Sequence, residues 1–266
     1  MAAVEAVVTN RPTPKNLFAE TVTEVEHYTP RLFRFRLTRP ASFRFRSGEF
    51  VMIGLEGTPK RAYSIASPAW DDELEFFSIK VPNGPLTEKL QRIEPGDTVF
   101  LGKKPTGTLV NDALIPGKRL FLFGTGTGVA PFASLVRDPE TYEKFDEVIL
   151  TETCREVAEL RYAQEVGEMA KSDPLVCEFA GDRLTLFTST TREAHTHEGR
   201  VTDLIESGSL FDALNIAPLD PATDRAMICG SMEMLRDTQQ ILEARGFEEG
   251  ANNKPATYVV ERAFVG

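Results

Sequence analysis

The feature that most constrains this chain is a change of rhythm across the breaker-rich stretch Pro105 to Lys118. Before it lie six strand-like runs: Glu20 to Tyr28, Leu32 to Thr38, Phe50 to Leu55, Ala62 to Ser67, Leu74 to Val81 and Thr98 to Leu101. Turn signals such as Ser47-Gly48, Glu56-Gly57, Pro82-Asn83-Gly84 and Glu94-Pro95-Gly96-Asp97 separate them, with one helical piece at Leu86 to Ile93. Six short strands joined this way predict an antiparallel β-barrel. After Lys118 the order becomes strand, glycine turn, helix. Arg119 to Phe123, Glu147 to Thr151, Leu184 to Thr188, Ala226 to Cys229 and Thr257 to Phe264 read as strands. Helices start near Val129, cover about 157 to 170, and run from a Ser231 cap to Arg245 with Gly246 as the stop. That alternation predicts an α/β, doubly wound parallel sheet. At 266 residues each half has room for its own core. The expected division is a loose arm at 1–17, a barrel at 18–112 and an α/β domain at 113–266, with a tail at 263–266.

Charge divides along the same line. Residues 1–120 carry 17 Lys and Arg against 14 Asp and Glu, while residues 121–266 carry 13 against 26. The acidic half argues against nucleic acid, and the basic first half could face an acidic protein. Its densest basic run is Arg31, Arg34, Arg36, Arg39, Arg44 and Arg46, which reads either as a docking face or as solvated strand faces. No apolar run approaches the roughly 20 residues a membrane span needs. Met1 to Lys15 lacks the pattern of a secretory signal, so the expectation is a cytoplasmic protein with no membrane role. Cys154, Cys177 and Cys229 are too few and scattered for a disulfide framework or a four-cysteine cluster. His195 and His197 sit in a polar stretch and read as solvated loop residues, so no metal is expected.

Three segments carry candidate chemistry. In Arg61-Ala62-Tyr63-Ser64-Ile65-Ala66-Ser67, alternation puts Arg61 and Tyr63 on one strand face. A guanidinium there can fork onto a pyrophosphate while the phenol lies against a planar heterocycle. Ser64 points the other way, so it reaches such a ligand only if the strand bends. Gly124-Thr125-Gly126-Thr127-Gly128-Val129-Ala130-Pro131 lies between a strand and a helix, where backbone N–H groups favour phosphate. It departs from the usual dinucleotide fingerprint, which wants glycine where Val129 stands, so a tight structural turn remains open. Cys229-Gly230-Ser231 ends the fourth strand, and the ends of first and fourth strands can flank the crevice of a doubly wound sheet. Past the second and third strands come Glu152 and Arg155, then Thr190-Thr191-Arg192 and Arg200. An acid suits ribose hydroxyls and arginines suit an extra phosphate, and three arginines at one sheet edge favour NADP(H).

Arg61-Ala62-Tyr63-Ser64, the run Gly124 to Pro131, Cys229-Gly230-Ser231 and the ending Val260-Glu261-Arg262-Ala263-Phe264-Val265-Gly266 together resemble the ferredoxin-NADP reductase family, its bacterial ferredoxin/flavodoxin branch in particular. The resemblance implies FAD and NADP(H) as cofactors. Arg61 would bind the FAD pyrophosphate, Tyr63 would stack on the isoalloxazine and Ser64 would sit near its N5. Ile79-Lys80-Val81 and Gly84, Leu86 and Thr87 would form the second FAD segment. Thr125, Gly126, Gly230 and Ser231 would meet NADP(H), with Cys229 and Glu261 close to hydride transfer. Arg155, Thr191, Arg192 and Arg200 would hold the adenosine end and its 2′-phosphate. Plastid members end in a tyrosine over the flavin; here Ala263 stands at the similar position, and Phe264 follows it as a candidate gate.

The implied function is hydride exchange with NADP(H) and single-electron exchange with a ferredoxin or flavodoxin, by a monomer. Competing expectations are a reductase component for an oxygenase, a free-flavin reductase, or an electron-relay subunit that never meets nicotinamide.

Overall fold

The computed structural model describes residues 16–262. Six strands come first: β1 (Leu17–His27), β2 (Leu32–Thr38), β3 (Phe50–Gly54), β4 (Arg61–Ser64), β5 (Glu73–Ile79) and β6 (Thr98–Gly102). They pair antiparallel in the order β4-β3-β6-β1-β2-β5. The edges nearly meet, because the chain after β4 turns so that Ala66 N–H donates to Glu75 O at 2.8 Å. Alternation sends Phe33, Phe35, Val51, Ile53, Phe76 and Leu101 inward to one apolar cluster, which accounts for the barrel. The one helical turn, α1 (Thr87–Leu90), plugs it with Leu90.

In the second half, β7 (Arg119–Thr125) runs through a 3₁₀ turn at Gly126–Gly128 into α2 (Val129–Leu135). Then come α3 (Pro139–Lys144), β8 (Glu147–Cys154), a 3₁₀ turn at Val157–Leu160, α4 (Arg161–Ser172), α5 (Cys177–Arg183) and β9 (Leu184–Thr190). The chain finishes with α6 (Val201–Ser207), α7 (Ser209–Leu214), β10 (Asp224–Cys229), α8 (Met232–Ala244) and β11 (Tyr258–Val260). The five strands pair parallel in the order β11-β10-β7-β8-β9. Successive residues feed opposite faces: Leu120 and Leu122 enter one core, Phe121 and Phe123 the other, and β8, β10 and β11 repeat the pattern. Ser231 Oγ accepts Met234 N–H at 3.3 Å to cap α8, and Gly246 at φ +87° ends it.

The two halves share apolar packing. Leu32, Ala66 and Phe77 of the barrel belong to the same cluster as Leu120, Val166 and Tyr162. Phe77 stacks on Tyr162 with centroids 4.1 Å apart, and Tyr162 Oη donates to the buried Glu75 Oε1 at 2.7 Å. Trp70 Nε1 donates to Arg137 O at 2.9 Å and Ser134 Oγ to Ser67 O at 2.8 Å. The wall between barrel and sheet is thus filled by side chains.

The basic run finds partners within the chain. Arg34 pairs with Glu24, Glu26 and Glu75, Arg36 with Asp71 and Glu73, Arg46 with Glu49 and Asp112, and Arg31 with Glu159. Arg39 and Arg44 donate to backbone carbonyls. The run is largely satisfied within the chain. The two loop histidines also differ from expectation: His195 Nε2 lies 3.2 Å from Thr188 Oγ1, and the His197 ring stacks on Phe187 at 4.5 Å. Among the described residues no helix is long and apolar enough to cross a membrane. Most of the expected arm, and the tail residues Ala263 and Phe264, lie outside the described residues.

Candidate functional site

A cavity of about 1220 Å³ opens between the barrel and the C-terminal ends of the parallel strands, lined from both sides. On the barrel side β4 supplies Arg61, Tyr63 and Ser64. The Tyr63 ring is held edge-on by Phe35 and Phe76, with its Oη 3.2 Å from Ser78 Oγ, and burial raises its pKa. Arg61 is exposed and makes no ion pair among the described residues. Ser64 reaches the same cavity because the strand stops there: Ile65 N–H still donates to Glu49 O, and the next amide has already crossed to Glu75. Ile79, Val81, Gly84, Leu86 and Thr87 line the adjoining wall. A Cβ at Gly84 would lie 2.1 Å from Thr87 Oγ1, so a larger residue there would have to displace the hydroxyl. Lys80 goes elsewhere. Its Nζ donates to Thr29 O at 3.2 Å, and it is not among the described lining residues, because strand alternation points it away from Ile79 and Val81.

The other wall follows from strand order. β7 and β10 are neighbours, with Gly124 opposite Cys229, so the loops that leave them lie side by side at the point where the order reverses. They are in close contact. A Cβ at Gly128 would sit 2.1 Å from Cys229 O, and one at Gly230 would sit 2.1 Å from Thr125 Oγ1. Ser231 N–H donates to that same Thr125 Oγ1 at 3.3 Å. Gly126 has φ +60° with open space where a side chain would be. Thr125, Gly126, Cys229, Gly230 and Ser231 all line the cavity. Burial, helped by Glu261, pushes the Cys229 thiol up, which keeps it neutral.

At the far end the loops after β8 and β9 are tied together: Thr191 N–H donates to Cys154 O and Arg192 N–H to Arg155 O, both at 3.0 Å. Arg155, Thr191, Arg192 and Arg200 all line the cavity. Arg155 and Arg192 make no ion pair among the described residues, whereas Arg200 meets Glu233 at 2.7 Å. Glu152 is not at this edge. Its side chain is 1% exposed beneath the glycine turn, where a Cβ on Gly124 would meet its Oε2 at 2.5 Å. Its Oε1 accepts the Cys154 thiol at 3.2 Å, Oε2 has no hydrogen-bond partner among the described residues, and burial raises its pKa well above the usual carboxylate range. An acid in that position cannot reach ribose hydroxyls in the cavity.

Glu261 is also withdrawn from the cavity. Its Oε2 accepts Thr108 N–H at 3.1 Å, tying the chain beyond β11 to the segment after the barrel, and it is not among the described lining residues. Sequence reasoning missed Arg31 and Glu159, which face each other at 3.6 Å across the cavity mouth, and Glu233 and Asp237 on α8. Glu159 Oε2 also accepts Arg155 N–H at 3.0 Å, so it fixes the loop that carries that arginine. Only Glu233 had a usable signal, two residues beyond the Ser231 cap.

The residues present suit a flavin dinucleotide: an exposed guanidinium at Arg61 with no ion pair among the described residues, an aromatic face at Tyr63 and a tight turn at Gly84, all on one wall of one cavity. Comparison with known proteins agrees. Residues 20–110 match the oxidoreductase FAD-binding domain family and residues 122–240 the oxidoreductase NAD-binding domain family. The chain is 58% identical over 252 residues to a flavodoxin/ferredoxin–NADP reductase of Rhodobacter capsulatus, covering 93% of each chain. It is 47% identical over 254 residues to a ferredoxin–NADP reductase of Pseudomonas aeruginosa, covering 94% of this chain and 98% of that one. Among solved structures, a ferredoxin NADP+ reductase from Neisseria gonorrhoeae with bound FAD and NADP superposes with a TM-score of 0.85 at 31% identity, covering 94% of this chain and all of that one.

Proposed function

The chain belongs to the ferredoxin–NADP reductase family, and from that we propose that it is an FAD-dependent oxidoreductase exchanging hydride with NADP(H) and single electrons with a ferredoxin or flavodoxin. The observation that carries this reading is the single cavity lined from one side by Arg61, Tyr63 and Ser64 and from the other by Thr125, Cys229 and Arg192. Such a cavity lets two cofactors meet, and both walls come from one chain.

Bound FAD supplies both two-electron and one-electron chemistry, the property that joins nicotinamide to a one-electron carrier. The chain's own residues contribute position. Arg61 would hold the FAD pyrophosphate, Tyr63, its hydroxyl anchored on Ser78, would offer its ring to the isoalloxazine, and Ser64 would offer its hydroxyl to the flavin. The backbone from Gly84 to Thr87 would hold the FAD phosphates, with Ile79 and Val81 as apolar walls. Thr125, Gly126, Gly230 and Ser231 hold the nicotinamide half, and the neutral Cys229 thiol closes the floor and excludes water. Arg155, Thr191, Arg192 and Arg200 take the adenosine end and its 2′-phosphate, a dianion suited to several guanidinium groups. Glu261 acts through its bond to Thr108, as an anchor for the chain that leads to Ala263 and Phe264.

Anaerobic addition of NADPH should bleach the bound flavin at once, and NADH should do so far more slowly. Bleaching by neither would support an electron relay instead. Reoxidation by purified ferredoxin or flavodoxin, read in the same cuvette, tests the carrier.

A further inference from the structure

Of the three arginines on the nucleotide rim, one is already engaged. Arg200 Nη1 lies 2.7 Å from Glu233 Oε1, and both side chains line the cavity and are more than half exposed. Arg155 and Arg192 have no such partner among the described residues. Arg200 stands at the N-cap position of α6, and Glu233 is in the first turn of α8, two residues past the cavity-lining Ser231. Asp237, one turn further along α8, also lines the cavity, and Asp203 on α6 adds to the negative field around Arg200. A carboxylate in this position is a poor neighbour for an incoming phosphate dianion. It satisfies the guanidinium that the dianion needs, and it repels the dianion itself.

We propose that Glu233 is a built-in competitor for the nucleotide's 2′-phosphate, holding Arg200 while the site is empty and giving it up when NADP(H) binds. This rests on the assignment of Arg155, Arg192 and Arg200 to that phosphate. The exchange swaps one charge-assisted pair for another, so the net gain from Arg200 is smaller than that from Arg192. NAD(H) carries no 2′-phosphate and leaves the pair intact. Glu233 therefore weakens NADP(H) binding selectively and hastens its release.

The test uses the full-length FAD-loaded protein, with nucleotide binding read from flavin difference spectra and release from stopped-flow dissociation. Glu233→Gln keeps the size of the side chain and removes its charge. It should tighten NADP+ binding on the order of threefold at low ionic strength, the scale of an exposed ion pair. Dissociation should slow to match, NAD+ binding should not change, and the effect should shrink at high salt. In an Arg200→Ala background Glu233→Gln should have a clearly smaller effect, since only its direct repulsion of the dianion is left to remove. Unchanged NADP+ affinity in Glu233→Gln would overturn the proposal. So would equal tightening with and without Arg200, which would make Glu233 a simple repulsive charge. Arg192→Ala is run alongside. If it fails to weaken NADP+, the phosphate site itself is misassigned and the competitor falls with it; if it does weaken NADP+ while Glu233→Gln has no effect, the competitor alone falls.

Discussion

Gly128→Ala is the sharpest perturbation this site offers. Gly128 has φ −64° and ψ −15°, helical values that alanine adopts freely, so the backbone alone would favour the change by roughly 0.5–1 kcal/mol. Sterics decide otherwise. The new methyl would lie 2.1 Å from Cys229 O, 2.5 Å from Cys229 C and 2.9 Å from Gly230 N, all backbone atoms of the neighbouring loop. Moving the 2.1 Å contact out to the 3.4 Å of ordinary van der Waals contact requires the two loops to part by about 1.3 Å, at an overpacking cost of about 1–3 kcal/mol. The net loss of stability should therefore be modest, on the order of 1 kcal/mol. The loss of function should be far larger. These loops border the proposed nicotinamide site, and a misplacement of about 1 Å costs about 100-fold in rate. Stopped-flow reduction of the flavin by NADPH reads the rate, and thermal unfolding reads the stability. Gly126→Ala is the contrast: its φ of +60° makes alanine strained, but nothing lies within 4 Å to be displaced, so it should lose less rate for a similar loss of stability. Wild-type hydride transfer in Gly128→Ala would refute the view that loop contact sets the nicotinamide position.

Arg192→Ala removes an unpaired, exposed cation and should raise the Michaelis constant for NADPH about tenfold while leaving that for NADH nearly unchanged; equal losses for both would take Arg192 out of the phosphate site. Glu152→Gln tests the buried acid. A folded-state pKa raised above the ordinary 4.5 means the folded chain holds a proton the unfolded chain releases, so wild-type stability falls as pH climbs from that value towards the raised pKa. The Gln variant lacks this fall, and urea unfolding from pH 5 to 9 should show it gaining on the wild type; parallel curves would mean the carboxyl titrates normally. Tyr162→Phe keeps the stack on Phe77 and deletes the hydroxyl that donates to Glu75, which should cost about 1.5–3 kcal/mol in urea unfolding. No loss would mean that Arg34, 3.0 Å from the same carboxylate, suffices for it.

The strands were legible because period and punctuation agree. β2 has the bounds read from its sequence, and the other barrel strands depart from theirs by a few residues, mostly where turn signals overlap strand ends. Most of the cavity was legible too, since Arg61, Tyr63, the glycine turn and Arg192 belong to short local patterns. Side-chain direction was harder to read. Lys80 and Glu261 sit in the right segments but turn to Thr29 and Thr108, partners distant in sequence. Glu152 looked like a ribose acid from its place at a strand end, but its burial under Gly124 depends on how two strands pack. The partners of the basic run were hidden for the same reason: a row of arginines in sequence does not reveal that Glu24, Glu26, Glu75 and Asp71 will meet it.

The core that Phe77 shares with Tyr162 bears on how far this chain can be treated as modular. Sequence rhythm suggests two interchangeable parts, a barrel and a nucleotide domain, but Leu32, Ala66 and Phe77 bury their side chains among residues of the other part. A hybrid that joined this barrel to a related nucleotide domain would inherit a mismatched interior as well as a new linker. Its success would depend on carrying across the facing surface of α2 and α4, Tyr162 above all. The boundary that matters for recombination is thus a packed surface, and no single cut in the chain follows it.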